Sequence, residues 1–280
     1  MSRTVYVNGA YLPEDQGRVS IFDRGFLFAD GVYEVTAVVN GKLVDYDPHM
    51  ERLDRSLREL RMDWPCSKDE LREMHLELVK RNGLAEGIIY MQVTRGAADR
   101  DFKFPKNVRP TLIAFTQVMR LVDNPNAVTG VKVVTVPDIR WARRDIKTVM
   151  LLAPVIGKQE AYEKGAHEGW MVEDGNVTEG TSSNAYIVKD GKVITRGLSN
   201  AILAGCTRRS LFRLAEENGI AIEERAFTPE EAYGADEAFL TSASQFVMPI
   251  VEIDGKRIGG GQPGPVVRKL RELFLQEAGK

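Results

Sequence analysis

The spacing of apolar residues changes period several times along the chain, and each change marks an element. Val5 to Leu12 reads as strand, turn and strand, because Asn8-Gly9 supplies the positive φ angles a tight hairpin needs. Val35 to Val44 repeats the device around Asn40-Gly41. The period then lengthens: Met50, Leu53, Leu57 and Leu60 fall on one helical face behind Asp47-Pro48, a capping acid followed by a first-turn proline. Ser67-Lys68-Asp69-Glu70 is a capping-box pattern for a second helix, with Leu71, Met74 and Leu78 inward and an end near Asn82-Gly83. Strands are predicted over Ile88 to Thr94 and Thr111 to Val118.

The polar, proline-bearing stretch Asp123-Asn124-Pro125-Asn126 interrupts the pattern. It divides the expected organisation into an N-terminal α+β domain (1–120), a linker (121–127) and a C-terminal α+β domain (128–280). The second part opens with the strand Val131 to Val136. Hairpins follow around Glu173-Asp174-Gly175-Asn176 and Asp190-Gly191, then a helix from about Thr207 to Asn218 capped by Gly219. A buried strand at Phe239-Leu240-Thr241, a turn at Ile253-Asp254-Gly255-Lys256 and a closing helix over Val266 to Ala278 complete it. Strands and helices mix without a βαβ rhythm, so the fold class is α+β.

Composition narrows the function classes. The chain has 280 residues, 43% hydrophobic and 28% charged, with a net charge of −2. No basic face announces nucleic acid, and no apolar run is long enough to span a bilayer. Met1 to Val7 leads directly into a strand pattern, which makes the cytosol the default expectation. Two cysteines, Cys66 and Cys206, and three histidines, His49, His75 and His167, are scattered without metal-ligand spacing, so no metal site is expected.

Several pieces can carry chemistry. Lys147 lies between Ile146 and a Thr-Val-Met-Leu-Leu run, where desolvation would favour the neutral amine that attacks carbonyls and forms Schiff bases. A lysine snorkelling at the edge of an apolar strand is the plainer reading of that residue alone. Glu179, in Thr178-Glu179-Gly180-Thr181-Ser182-Ser183-Asn184, is an acid at a strand end. Such a carboxylate can hold a proton on a heterocyclic nitrogen, or can be an ordinary hairpin acid. Gly205-Cys206-Thr207 precedes a helix, so its backbone N–H groups form a ready phosphate site, although Thr207 could simply cap the helix. Thr241-Ser242-Ala243-Ser244 is a second small-residue loop. Arg52, off the apolar stripe of its helix, and Arg100, in a loop between Asp99 and Asp101, are each a surface arginine or an anion fork.

Together, Asp23 to Glu34, His49-Met50-Glu51-Arg52-Leu53, the Lys147 segment, Thr178 to Asn184 and Asn200 to Arg208 resemble the class IV (fold type IV) aminotransferases. These are pyridoxal-phosphate enzymes of branched-chain and D-amino acid metabolism. Order and spacing agree over essentially the whole chain. Asp138-Ile139-Arg140-Trp141, Val93-Thr94-Arg95-Gly96 and Lys158-Gln159-Glu160-Ala161 are most similar to the D-amino acid branch.

The resemblance implies a two-domain α+β fold, the C-terminal domain a pseudo-barrel, with pyridoxal 5′-phosphate in the interdomain cleft. It implies that Lys147 is the Schiff-base lysine and proton shuttle and that Glu179 holds the pyridine nitrogen. Arg52, the Cys206 and Thr207 amides and the loop of Ser242, Ala243 and Ser244 would bind phosphate, with Leu203 against the ring. Tyr33 and Arg100 would grip the substrate carboxylate, the arginine coming from the partner subunit of a homodimer. Phe102 stands where the D-amino acid enzymes carry a histidine, Met150 where asparagine is common, Ala243 where a hydroxyl is common and Ala29 in place of a usual glycine. The implied reaction is transamination between a D-amino acid and a 2-oxo acid. The same scaffold also serves branched-chain L-amino acid aminotransferases, (R)-selective amine transaminases and aminodeoxychorismate lyases, and a cofactor carrier without turnover is the reading from a different class.

Overall fold

The computed structural model describes residues 2–279. The chain forms two compact units: one runs to Arg120 and also takes in Ile146–Met150, and the other holds Leu121–Asp145 and the chain from Leu151 onward.

The first unit contains β1 (Thr4–Val7), β2 (Ala10–Pro13), a 3-10 turn (Glu14–Gln16), α1 (Arg24–Phe28), β3 (Gly31–Val39), β4 (Lys42–Leu43), α2 (Tyr46–Glu59), α3 (Lys68–Asn82), β5 (Glu86–Thr94) and β6 (Thr111–Val118). Its six strands make an antiparallel sheet in the order β2-β1-β6-β5-β3-β4. The two Asn-Gly hairpins form as expected, with φ of 47° and 98° at Asn8-Gly9 and 52° and 73° at Asn40-Gly41. Leu53 and Leu57 of α2 and Leu71 and Leu78 of α3 are fully buried. The Ser67 capping box is present, with Ser67 Oγ accepting from the Glu70 amide at 3.2 Å. The start of α2 differs from expectation: the helix begins at Tyr46, so Asp47 lies inside the first turn and pairs with Arg72 instead of capping.

β3 pairs with β5 along its whole length but with β4 only at Val38 and Val39, which leaves Gly31 to Tyr33 with an open ladder edge. The Ile146–Met150 segment fills that edge. The Tyr33 amide donates to the Lys147 carbonyl at 3.0 Å, and the Val149 amide to the Gly31 carbonyl at 3.0 Å. The expected unbroken domain over 128–280 is therefore interrupted by a segment that satisfies its backbone on the first unit's sheet.

The second unit contains α4 (Pro125–Thr129), β7 (Val131–Pro137), α5 (Leu152–Glu163), β8 (Glu168–Glu173), β9 (Asn176–Gly180), β10 (Asn184–Lys189), β11 (Lys192–Thr195), α6 (Cys206–Glu217), β12 (Ile222–Glu224), α7 (Pro229–Tyr233), β13 (Glu237–Ser242), β14 (Phe246–Ile253), β15 (Lys256–Arg257) and α8 (Pro265–Ala278). Its mixed nine-stranded sheet runs β12-β11-β10-β13-β14-β7-β8-β9, with β15 paired to β14. Val133, Trp170, Ile187, Phe227, Leu240 and Met248 belong to its core. The expected linker is built into this unit. Leu121 is fully buried, Arg271 donates to the Leu121 and Val122 carbonyls at 2.9 and 3.0 Å, and Asn124 caps α4.

Candidate active site

In the first unit, the strand-like pairing of Ile146–Met150 sets Lys147 beside Tyr33. Lys147 Nζ lies 4.2 Å from the centroid of the Tyr33 ring, and the side chain is half-buried, less desolvated than its apolar neighbours suggested. Among the described residues, no acid or hydrogen-bond acceptor pairs with that amine. A cation over an aromatic face gains only about 0.5–2 kcal/mol, so this contact holds the amine only weakly.

Arg52 is not a surface arginine. Its Nε and Nη2 donate to the two oxygens of Glu34 at 2.9 and 2.7 Å, and the second Glu34 oxygen lies 2.7 Å from His49 Nδ1. Glu34 lies on β3 with its side chain fully buried. Burial opposes its ionisation, yet Arg52 and His49 hold its carboxyl down at about 2. Sequence reasoning assigned neither Glu34 nor His49 a part. The signal was an acid at an inward position of β3, where Val32, Glu34, Thr36 and Val38 share one face.

Arg100 is exposed. Its guanidinium lies 5.3 Å from the Phe28 centroid and 5.4 Å from that of Phe102, and among the described residues neither adjacent acid pairs with it. Phe102 is 78% exposed and touches Phe28 at a centroid distance of 5.4 Å. Their loop is anchored at its base by Asp30, which accepts from Arg24 and Arg95, and by Arg24 Nη1 donating to the Asp101 carbonyl at 2.6 Å. Although burial opposes it, Arg95 and Arg24 hold the Asp30 carboxyl below its ordinary range.

In the second unit, Glu179 is the penultimate residue of β9 and is buried among donors. The Leu203 amide reaches both of its oxygens at 3.1 Å, Asn184 Nδ2 donates at 3.0 Å and Arg140 Nη1 at 2.5 Å. Burial pushes the Glu179 carboxyl above its ordinary value against the opposing pull of Arg140. The hydroxyls of Thr181, Ser182 and Ser183 bond to buried Glu168 on β8.

α6 begins at Cys206, one residue earlier than expected, so Thr207 is inside the first turn and does not cap it. Gly205 is the N-cap and supplies no side-chain cap. A Cβ on Gly205 would meet Asn184 Oδ1 at 2.1 Å, so glycine permits this close approach. With no side-chain cap among the described residues, the first-turn amides of α6, those of Cys206 and Thr207 included, have the dipole direction and donors that suit an anion. α6 packs against β13, whose last residue, Ser242, opens the turn of Ser242, Ala243 and Ser244; the two serine hydroxyls lie 3.5 Å apart.

Residues 31–253 match the model of the family described as "Amino-transferase class IV". The chain belongs to the class IV aminotransferases. It is 40% identical to a D-alanine aminotransferase of Bacillus licheniformis over 99% of each chain, and 41% identical to one of Staphylococcus epidermidis over 96% of each. Among solved structures it is similar to a T.th. branched-chain amino acid aminotransferase complexed with N-(5′-phosphopyridoxyl)-L-glutamate, with 26% identity, a TM-score of 0.91 and coverage of 100% of this chain and 95% of the other. A branched-chain aminotransferase of Thermoproteus uzoniensis with norvaline gives 27% identity and a TM-score of 0.90, covering 99% and 95%.

As a class IV aminotransferase the chain is a pyridoxal-phosphate enzyme, and its residues fit that group. In the first unit, Lys147 offers an amine with no acceptor among the described residues; in the second, the start of α6 has no side-chain cap among them, and Glu179 is a buried acid surrounded by donors.

Proposed function

We propose that this chain transfers the amino group between a D-amino acid and a 2-oxo acid, of the D-alanine:2-oxoglutarate type. The observation that carries the reading is the Lys147 amine over Tyr33, without an acceptor among the described residues, in a chain whose near-full-length relatives are D-alanine aminotransferases. Lys147 would hold pyridoxal 5′-phosphate through its amine. Arg52, the Cys206 and Thr207 amides and the loop of Ser242, Ala243 and Ser244 would bind its phosphate, with Glu179 for the ring nitrogen and Leu203 for the ring. When bound, the cofactor supplies an electron sink for charge that develops at the substrate Cα. Lys147, once free, would take the Cα proton as base and, as acid, deliver it not back to Cα but to the cofactor carbon bearing the amino nitrogen, so one amine would serve both roles.

Tyr33 and Arg100 bind the substrate carboxylate. Phe102 has no donor to add, so the grip lacks a charge-assisted hydrogen bond of about 1.5–3 kcal/mol. That residue favours one second reading, (R)-selective amine transamination, in which no carboxylate is gripped. We also propose a homodimer in which Arg100 and Phe102 serve the partner's site, and a cytosolic enzyme with Cys66 and Cys206 as free thiols. Support for the dimer is an exposed apolar group, Ile21, Phe22, Phe26 and Phe102, on segments tied by the Ala98 amide donating to the Phe22 carbonyl at 3.2 Å.

The test is the cofactor-loaded protein with 2-oxoglutarate and, in turn, D-alanine, L-alanine, L-leucine and (R)-1-phenylethylamine. Pyruvate from D-alanine and little product from the L-amino acids is the expected result. Turnover of L-leucine without D-alanine overturns the proposal, and turnover of the amine alone moves it to the second reading. Light scattering at the mass of one chain removes the dimer.

A further inference from the structure

Glu179 does not stand alone in the second unit. Arg140 Nη1 donates to Glu179 Oε1 at 2.5 Å, while Arg140 Nε and Nη2 donate to the two oxygens of Asp138 at 2.9 and 2.7 Å. Asp138 is fixed in turn by the Thr178 hydroxyl at 2.7 Å and lies 3.4 Å from Arg144 Nη1. The Arg144 guanidinium also pairs with both oxygens of Glu173, at 2.6 and 2.5 Å. The side chains of Asp138, Arg140 and Glu179 are 0%, 11% and 4% exposed, so these charges interact with little solvent screening.

We propose that Arg140, clamped by Asp138, is a positioning residue that aims the Glu179 carboxylate and keeps it charged toward the cofactor's ring nitrogen. The inference rests on the reading of Glu179 as the partner of that nitrogen.

The geometry gives the reason. Two of the Arg140 donors are committed to Asp138, so the planar guanidinium cannot rotate away, and its remaining edge meets one Glu179 oxygen. The Leu203 amide and Asn184 constrain the same carboxylate from other directions. Burial by itself favours the protonated acid, and a neutral acid hydrogen-bonded to the ring nitrogen leaves that nitrogen unprotonated. A guanidinium touching the carboxylate stabilises the arrangement in which the proton sits on the nitrogen, because it is closer to the negative partner than to the positive one. Asp138 offsets part of the Arg140 charge, so the net field at Glu179 is moderate and directional.

The experiment uses the full-length protein loaded with pyridoxal phosphate labelled with 15N in the ring. Cofactor affinity is measured by titration of the cofactor-free protein, and the 15N chemical shift reports whether the ring nitrogen is protonated. Glu179→Gln tests the underlying reading, and Arg140→Met tests the inference. In the wild type the nitrogen is expected to be protonated. Glu179→Gln and Arg140→Met should each move the shift toward unprotonated pyridine and weaken affinity by about tenfold, one charge-assisted contact's worth. Arg140→Lys, which restores the charge without the fork, should recover part of the nitrogen signal. A Glu179→Gln effect with an unchanged Arg140→Met nitrogen signal overturns the inference and leaves the reading intact. No change in Glu179→Gln overturns both. If thermal melting shows that Arg140→Met does not fold, Arg140→Gln, which keeps a donor without charge, is judged by the same criterion.

Discussion

Replacing Glu34 by glutamine removes one charge from a buried cluster and should destabilise the protein by about 3 kcal/mol at neutral pH. The magnitude comes from the carboxyl itself. Its ordinary value is 4.5 and the native one is about 2, and each unit is worth about 1.4 kcal/mol. The figure agrees with the roughly 3–5 kcal/mol lost when one partner of a buried ion pair is deleted and the other is left without its counter-charge. Because the native value is depressed, the stabilisation is complete above pH 4.5 and is lost as pH falls from there toward about 2. The assay is urea unfolding of the cofactor-free wild type and Glu34→Gln at pH 7, with thermal melting between pH 6 and 2.5. The variant should melt about 6–10 °C lower at pH 7. Its deficit should shrink as the wild type becomes protonated. A deficit below about 0.5 kcal/mol at pH 7, or one that does not shrink in acid, would refute the account of Arg52 and His49 as the groups that hold Glu34 ionised. Cofactor affinity in the same variant should fall, because Glu34 aims the Arg52 guanidinium.

Other substitutions separate the remaining parts. Lys147→Ala should lose both the visible absorbance of bound cofactor and transamination; a variant with normal turnover removes Lys147 from the covalent role. Arg100→Ala should raise KM for D-alanine by about tenfold or more while leaving KM for an amine without a carboxylate nearly unchanged, and equal effects on both would remove Arg100 from carboxylate binding. His75 is buried, with Nδ1 2.7 Å from the Leu71 carbonyl, and burial lowers its imidazole to about 4. Since the native value lies below the unfolded one of 6.5, its contribution of about 3 kcal/mol is intact above pH 6.5 and disappears as pH falls toward about 4. Urea unfolding at pH 7.5 and pH 4.5 should show this loss, and His75→Phe should remove it.

Local chemistry was legible from residue order. Asn8-Gly9 and Asn40-Gly41 define their hairpins, and Ser67 with Glu70 defines the start of α3, because each involves residues a few positions apart whose backbone preferences act alone. The closing helix likewise follows from its apolar period. The family and the types of group at the site were also within reach, since Lys147, Glu179 and Gly205 to Thr207 stand in recognisable order.

Only the tertiary structure decided which charges meet. Glu34 and Arg52 are separated by 18 positions and Arg140 and Glu179 by 39, and no periodicity links them. The same holds for Glu168, which occupies the hydroxyls of Thr181 to Ser183, and for α6, whose first turn is left uncapped once its start falls at Cys206. Lys147 shows both levels. Its apolar neighbours could be read along the chain, but its place over Tyr33 depends on β4 being too short to cover Gly31 to Tyr33. Backbone groups left open on one strand were satisfied by a segment more than a hundred residues away, and that pairing set the amine in position.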